Sequence, residues 1–86
     1  MKVSFVERDY VFNALRAVTV DDSGHALPLY VLKAAVSRWG RSQGFTHSPH
    51  VSVIAAVVES AGYDVREGRT TPIVRGIDLH PAWRNS

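Results

Sequence analysis

Thr46-His47-Ser48-Pro49-His50-Val51-Ser52-Val53-Ile54-Ala55-Ala56-Val57-Val58-Glu59-Ser60-Ala61-Gly62 holds a turn, a helix start and a helix stop in one short run. Ser48 reads as an N-cap and Pro49 as the first helical residue, because a serine hydroxyl can accept an orphan N–H and proline has none to lose. Val51, Ile54, Ala55, Val58 and Ala61 then recur at helical spacing, and Gly62 stands where a glycine cap is expected, giving a third helix of about three turns. Before it, Leu29, Leu32, Val36 and Trp39 form one apolar stripe with Ala35, which predicts a second helix from near Pro28 to a stop at Gly44. Two helices joined by a short turn are a helix-turn-helix arrangement.

Working outward, the periodicity changes after Gly62. Tyr63 to Arg66 and Ile73 to Leu79 read as strands, and Glu67-Gly68-Arg69-Thr70-Thr71-Pro72 between them as a long, basic hairpin tip. Toward the N-terminus, Val11, Ala14, Leu15 and Val18 share a helical stripe, so Phe5 to about Val18 is expected to be a first helix. Thr19 to Ala26 contains Asp21-Asp22-Ser23-Gly24, whose short polar side chains and glycine predict a surface turn. Phe12, Leu15, Leu32, Val36, Trp39, Ile54, Val58, Ile77 and Leu79 are the expected core. The fold class is α+β: a small winged helix-turn-helix domain of three helices and a C-terminal β-hairpin wing, occupying residues 1–86 as a single domain.

Composition narrows the function. With 45% hydrophobic and 21% charged residues the chain is neither disordered nor fibrous. There is no cysteine, so disulfides are excluded and zinc would need His and carboxylate ligands alone. Met1-Lys2-Val3-Ser4-Phe5 lacks the apolar stretch of a secretory signal, and no run approaches the ~20 apolar residues of a membrane span. A cytoplasmic protein with no membrane partner is expected. Net charge is +2, but seven basic and four acidic residues lie in 31–86 against three and four in 1–30, so the basic end is the later one.

No catalytic constellation is visible. No Ser sits in a G-x-S-x-G setting, and neither the G-x-x-x-x-G-K-[ST] nor the G-x-G-x-x-G phosphate loop occurs. His47 and His50 lie three apart near the start of helix 3, too few for a zinc site, and read as exposed residues of the capping region. His25 and His80 read as solvated, and Asp21-Asp22 as turn chemistry. Trp39 shares the stripe of Leu32 and Val36, which makes it core rather than a base-stacking platform. No enzyme activity, cofactor or metal is expected.

From about Tyr10 to Trp83 the chain resembles the C-terminal winged-helix domain of phage and plasmid primase-helicases, the poxvirus-type primase family. The matching features are Leu29-Tyr30 opening a helix that closes with Arg38-Trp39, then Gly44, Val58-x-x-Ala61-Gly62, and a hairpin ending Arg75-Gly76-Ile77-Asp78-Leu79. The resemblance implies a DNA-binding module acting in a bacterial host cell, in replication or transcription control, with helix 3 as recognition helix and the segment around Gly68 as wing. The ATPase core and primase domain are not among these residues, so helicase activity is not carried over. A free-standing gene product and a domain of a larger protein both stay open.

Duplex DNA is therefore the expected partner. Arg38 and Arg41 on helix 2, Ser48, His50, Ser52 and Val53 around helix 3, and Arg66, Arg69, Thr70, Thr71 and Arg75 in the hairpin are the expected contacts. Helix 3 carries no Lys or Arg. Its small residues Ser52, Val53, Ala56, Val57 and Ser60 suit thymine methyl groups, but they equally suit a second helix. The alternative is thus a protein-protein module, a homodimer or a phage factor docking on a host protein through helix 3.

Overall fold

Tyr10, Val11, Ala14, Leu15 and Val18 are all buried, and their spacing places them on one side of a helix. In the computed structural model, which describes residues 5–84, that helix is α1 (Phe5–Val18). It is followed by β1 (Thr19–Pro28), α2 (Leu29–Ser42), α3 (Val51–Ser60), β2 (Asp64–Glu67), β3 (Pro72–Leu79) and a 3-10 turn, Pro81–Trp83. The described residues form a small α+β domain with three α-helices and one three-stranded antiparallel sheet of order β1-β3-β2.

α3 is rich in β-branched residues, which disfavour a helix by at most about 0.7 kcal/mol each. Val53, Ile54, Val57 and Val58 are nonetheless almost fully buried, and burial of such side chains contributes about 1.5–3 kcal/mol apiece. Packing therefore decides, and α3 forms because it is inserted between α1, α2 and β2. Both α2 and α3 end in the same hydrogen-bond pattern. Gly44 and Gly62 have φ of +90° and +99°. Phe45 N–H donates to Gly40 O at 3.0 Å, and Tyr63 N–H donates to Val58 O at 3.1 Å. Glycine at the left-handed position lets the chain turn back while the last carbonyls stay paired.

Four expectations are corrected. Residues 19–26 are not a plain connection: they belong to β1, which pairs with β3 from Thr19↔Leu79 to Pro28↔Ile73. The register jumps from Asp21↔Ile77 to Ala26↔Arg75, so residues 22–25 bulge out opposite Gly76, whose φ is +91°. The Asp-Asp-Ser-Gly signal is real, and Asp22 Oδ1 does accept the Gly24 N–H at 3.1 Å, but it makes a bulge inside a strand. Phe12, expected in the core, is 39% exposed, because α1 turns its Tyr10–Val11–Ala14 side inward. Trp39 is half-buried and packs at the core's edge. Finally, Ser48 does not cap α3; the cap is His50, and Pro49 is buried one residue before it.

α1 and α2 meet where Tyr10 lies on Gly40. The Tyr10 ring stands edge-on to Trp39, centroids 5.8 Å apart, and 4.7 Å from Phe45. A Cβ at Gly40 would fall 1.6 Å from the Tyr10 hydroxyl and 2.5 Å from its ring carbon. The ring is buried and hemmed in on both sides, so it has little room to yield. Gly40→Ala is expected to cost about 1–3 kcal/mol, as overpacking does, read as a lower denaturation midpoint. Gly40→Ala combined with Tyr10→Phe should recover part of that loss, since the nearest clashing atom is gone.

Candidate nucleic-acid interface

Two groups of polar and basic side chains are brought together, one at the helix-helix turn and one on the hairpin. The first begins at the C-terminal end of α2, where exposed Arg41 borders a hollow lined by Ser37, Phe45, Thr46, His47 and Ser48. Burial raises the Tyr10 pKa above its ordinary value, and the Arg41 charge works against that shift. His50 Nδ1 accepts the Ser52 N–H at 3.1 Å and lies 2.9 Å from Ser52 Oγ. With Nδ1 acting as acceptor, the other ring nitrogen, Nε2, carries the proton and is a donor at the exposed start of α3. Arg41, Ser48, His50 and Ser52 are all exposed, and His50 and Ser52 lie at the positive end of the α3 dipole.

The second group is carried by the β2–β3 hairpin. Gly68 N–H donates to Thr71 O at 2.9 Å and closes the tip, and a Cβ at Gly68 would fall 2.4 Å from that same oxygen. The tip thereby presents Arg69 and Thr70 to solvent, with Thr71 half-buried. Val65 and Val74 are paired and turned toward the core, so Arg66 and Arg75 share the outer face of the sheet. They line a hollow there with Ser23, Gly24, His25 and Ala26 of the β1 bulge. Arg66 Nε donates to Asp64 Oδ2, an exposed ion pair that dilutes its charge. Arg69 makes no ion pair among the described residues.

Three expected contacts lie elsewhere. Arg38 sends a guanidinium nitrogen to the Trp83 carbonyl at 2.8 Å and holds the C-terminal turn against α2, with its Nε buried. Val53 and Val57, expected on the outward face of α3, are 3% and 1% exposed and belong to the core. The open face of α3 is therefore Ser52, Ala56, Glu59 and Ser60. Ser60 Oγ donates back to Val57 O at 2.8 Å.

Asp78 is the residue that sequence reasoning passed over. Its carboxylate is buried in β3, where Oδ1 accepts the Leu79 N–H at 2.8 Å and lies 3.2 Å from His25 Nε2. Oδ2 accepts from the Arg84 guanidinium at 2.8 Å. His25 is thus half-buried and engaged, contrary to its reading as solvated, and His80 caps the 3-10 turn by accepting the Ala82 N–H. Asp22, His25 and Asp78 bring ligand atoms within 4.8 Å of one another. Both Asp78 oxygens already have partners, and Arg84 supplies the positive charge that a cation would bring, so the set reads as an ion-pair cluster. No helix is long and apolar enough to cross a membrane among the described residues. No protein-family model, curated protein or solved structure matches the chain.

Two outcomes are expected. His50→Ala removes the α3 cap and should cost about 1 kcal/mol, whereas His50→Asn keeps an acceptor and should cost less in the same denaturation series. Tyr63 donates its hydroxyl proton to Asp21 Oδ1, and that bond, with burial and the Asp21 charge, raises its pKa above the ordinary 10.0. The folded state then holds the proton more tightly than the unfolded one. The stabilisation is complete below the ordinary value and is lost as pH rises through the higher folded one. Tyr63→Phe should lessen the fall in stability as pH rises above about 10, leaving the part that Tyr10 contributes.

Proposed function

We propose that this chain is a non-catalytic winged-helix domain that binds duplex DNA, with α2 and α3 as the helix-turn-helix and the β2–β3 hairpin as the wing. The observation that carries the reading is the element order α1-β1-α2-α3-β2-β3 on a β1-β3-β2 sheet, with hydrogen-bond donors gathered at the start of α3 and at the hairpin tip. Phosphate contacts position such a domain and base-edge contacts specify its site. On this reading Arg41, Ser48 and His50 hold one stretch of backbone, and Arg69, Thr70 and Arg75 hold another. The exposed Ser52 and Ala56 face the major groove. On the resemblance to primase-helicase winged-helix domains, the activity would belong to phage or plasmid replication or transcription control, inside a bacterial cell.

One observation favours a second reading. The open face of α3 has no cation and carries Glu59, which repels phosphate and suits a protein surface. That reading makes α3 a docking helix, now through Ser52, Ala56 and Ser60 without the buried valines.

Salt separates the two. Each side chain that neutralises a phosphate releases counterion, so its removal should flatten the slope of log affinity against log salt by ~0.9. Arg41→Ala and Arg69→Ala are each expected to do so in mobility shifts on random duplexes, weakening all sequences alike. Ser52→Ala should alter preference among duplexes and leave the slope unchanged. Wild-type affinity and slope in the Arg41→Ala, Arg69→Ala double variant, or no duplex binding at low salt, would overturn the DNA reading.

A further inference from the structure

We propose that two copies of this chain associate about a two-fold axis through the face where α1 meets the beginning of β1. The first observation is the misplaced phenylalanine. Phe12 is 39% and Val20 38% exposed, and these two of the four exposed large hydrophobics among the described residues lie together. They line one hollow with Leu15, Arg16, Asp21 and Tyr63. Leu15, which also lines it, is buried and belongs to the core, so the apolar part of the hollow is continuous with the core.

The second observation is the charge at the rim. Arg16 stands one helical turn after Phe12 on α1, and Asp21 follows Val20 on β1. Neither makes an ion pair among the described residues. A patch with an apolar centre, one cation and one anion is complementary to itself after a half-turn, because Arg16 of each copy then meets Asp21 of the other. That is the requirement for an isologous contact. Other occupants are opposed by one charge or the other: phosphate by Asp21, a basic peptide by Arg16, an acidic one by Asp21.

The third observation is topological. Among the described residues β1 is an edge strand, hydrogen-bonded only to β3, and an exposed edge beside apolar side chains is a template for a second chain. The bulge at residues 22–25 divides that edge in two, and its Thr19–Asp21 part borders the hollow. None of these residues belongs to the turn or hairpin groups, so the inference stands apart from the DNA reading.

Sedimentation velocity of the full chain over a wide concentration range tests it. The wild-type protein should pass reversibly from monomer to dimer. Phe12→Glu, a change at an exposed site whose folding is checked by circular dichroism, should be monomeric throughout. Arg16→Glu and Asp21→Arg should each weaken association by at least about tenfold, since like charges would then face each other, and the double reversal should restore it. Tyr63→Phe should still dimerise, which separates the charge of Asp21 from its hydrogen bond. A wild-type monomer at every concentration, a dimeric Phe12→Glu variant, or a double reversal no tighter than the singles would each overturn the proposal. Should Phe12→Glu fail to fold, the charge-reversal set decides alone.

Discussion

Leu27 lies opposite Val74 across the β1–β3 ladder, and both side chains are buried. Closing that ladder ties the strand that precedes α2 to the second strand of the hairpin, so α2 and α3 are held inside a closed loop of chain. The entropic cost of such a closure rises only as the logarithm of its length. Burial of Leu27, Val74, Ile77 and Leu79 offsets it, at about 1.5–3 kcal/mol for each large side chain. Without the ladder β2 and β3 would be an isolated hairpin, which is marginal in water. With it, the tip at Gly68–Thr71 extends from a sheet that is anchored to all three helices, and its direction relative to α3 is fixed by packing.

The ladder also explains why a carboxylate is buried where the sequence offers no obvious reason for one. The bulge at residues 22–25 carries His25 over β3, and the 3-10 turn brings Arg84 back from the other side. Asp78 sits between them with a backbone N–H on the same oxygen as His25. An unpaired charge at this depth would be costly, so the bulge, the strand and the C-terminal turn are interdependent. Arg38 adds a second tie to that turn through the Trp83 carbonyl. Four polar side chains thus close the sheet end of the domain, opposite in character to the apolar contact of Tyr10 on Gly40 between the helices.

The helices were legible in the sequence because each has a periodic stripe and α2 and α3 each stop at a glycine, and the hairpin strands were placed to within one residue. β1 was not legible. Its middle is a bulge, and the residues that make a bulge, short acceptors and glycine, are those that make a turn. The orientation of α3 was half legible. Ile54 and Val58 were placed inside, but the stripe is wider than one row because the helix packs against α1, α2 and β2 together, so Val53 and Val57 are buried as well. Phe12 shows the converse, an apolar residue near a stripe that the packing leaves outside it. The basic hairpin could be read from composition; the commitments of Arg38 to Trp83 and of Arg66 to Asp64 could not, since each depends on where the backbone brings a partner.

What remains exposed divides the candidate interface by chemistry. Among the hairpin arginines, Arg69 at the tip makes no ion pair with the described residues, while Arg66 shares its charge with Asp64. At the start of α3 the donors are a histidine ring, serine hydroxyls and one arginine from the preceding helix. Between these ends the face of α3 offers only Ser52, Ala56 and Ser60, with Glu59 alongside. Under the DNA reading, attraction would come from the two ends and discrimination from the middle, where small side chains meet a methyl group or an ordered water and reject a base that cannot fill the space. On that reading such a surface would bind with a modest counterion term and would depend on holding its two ends at a fixed separation. The β1–β3 ladder supplies that rigidity, which is why the strand hidden by its bulge matters as much to the proposed function as the helix that would face the groove.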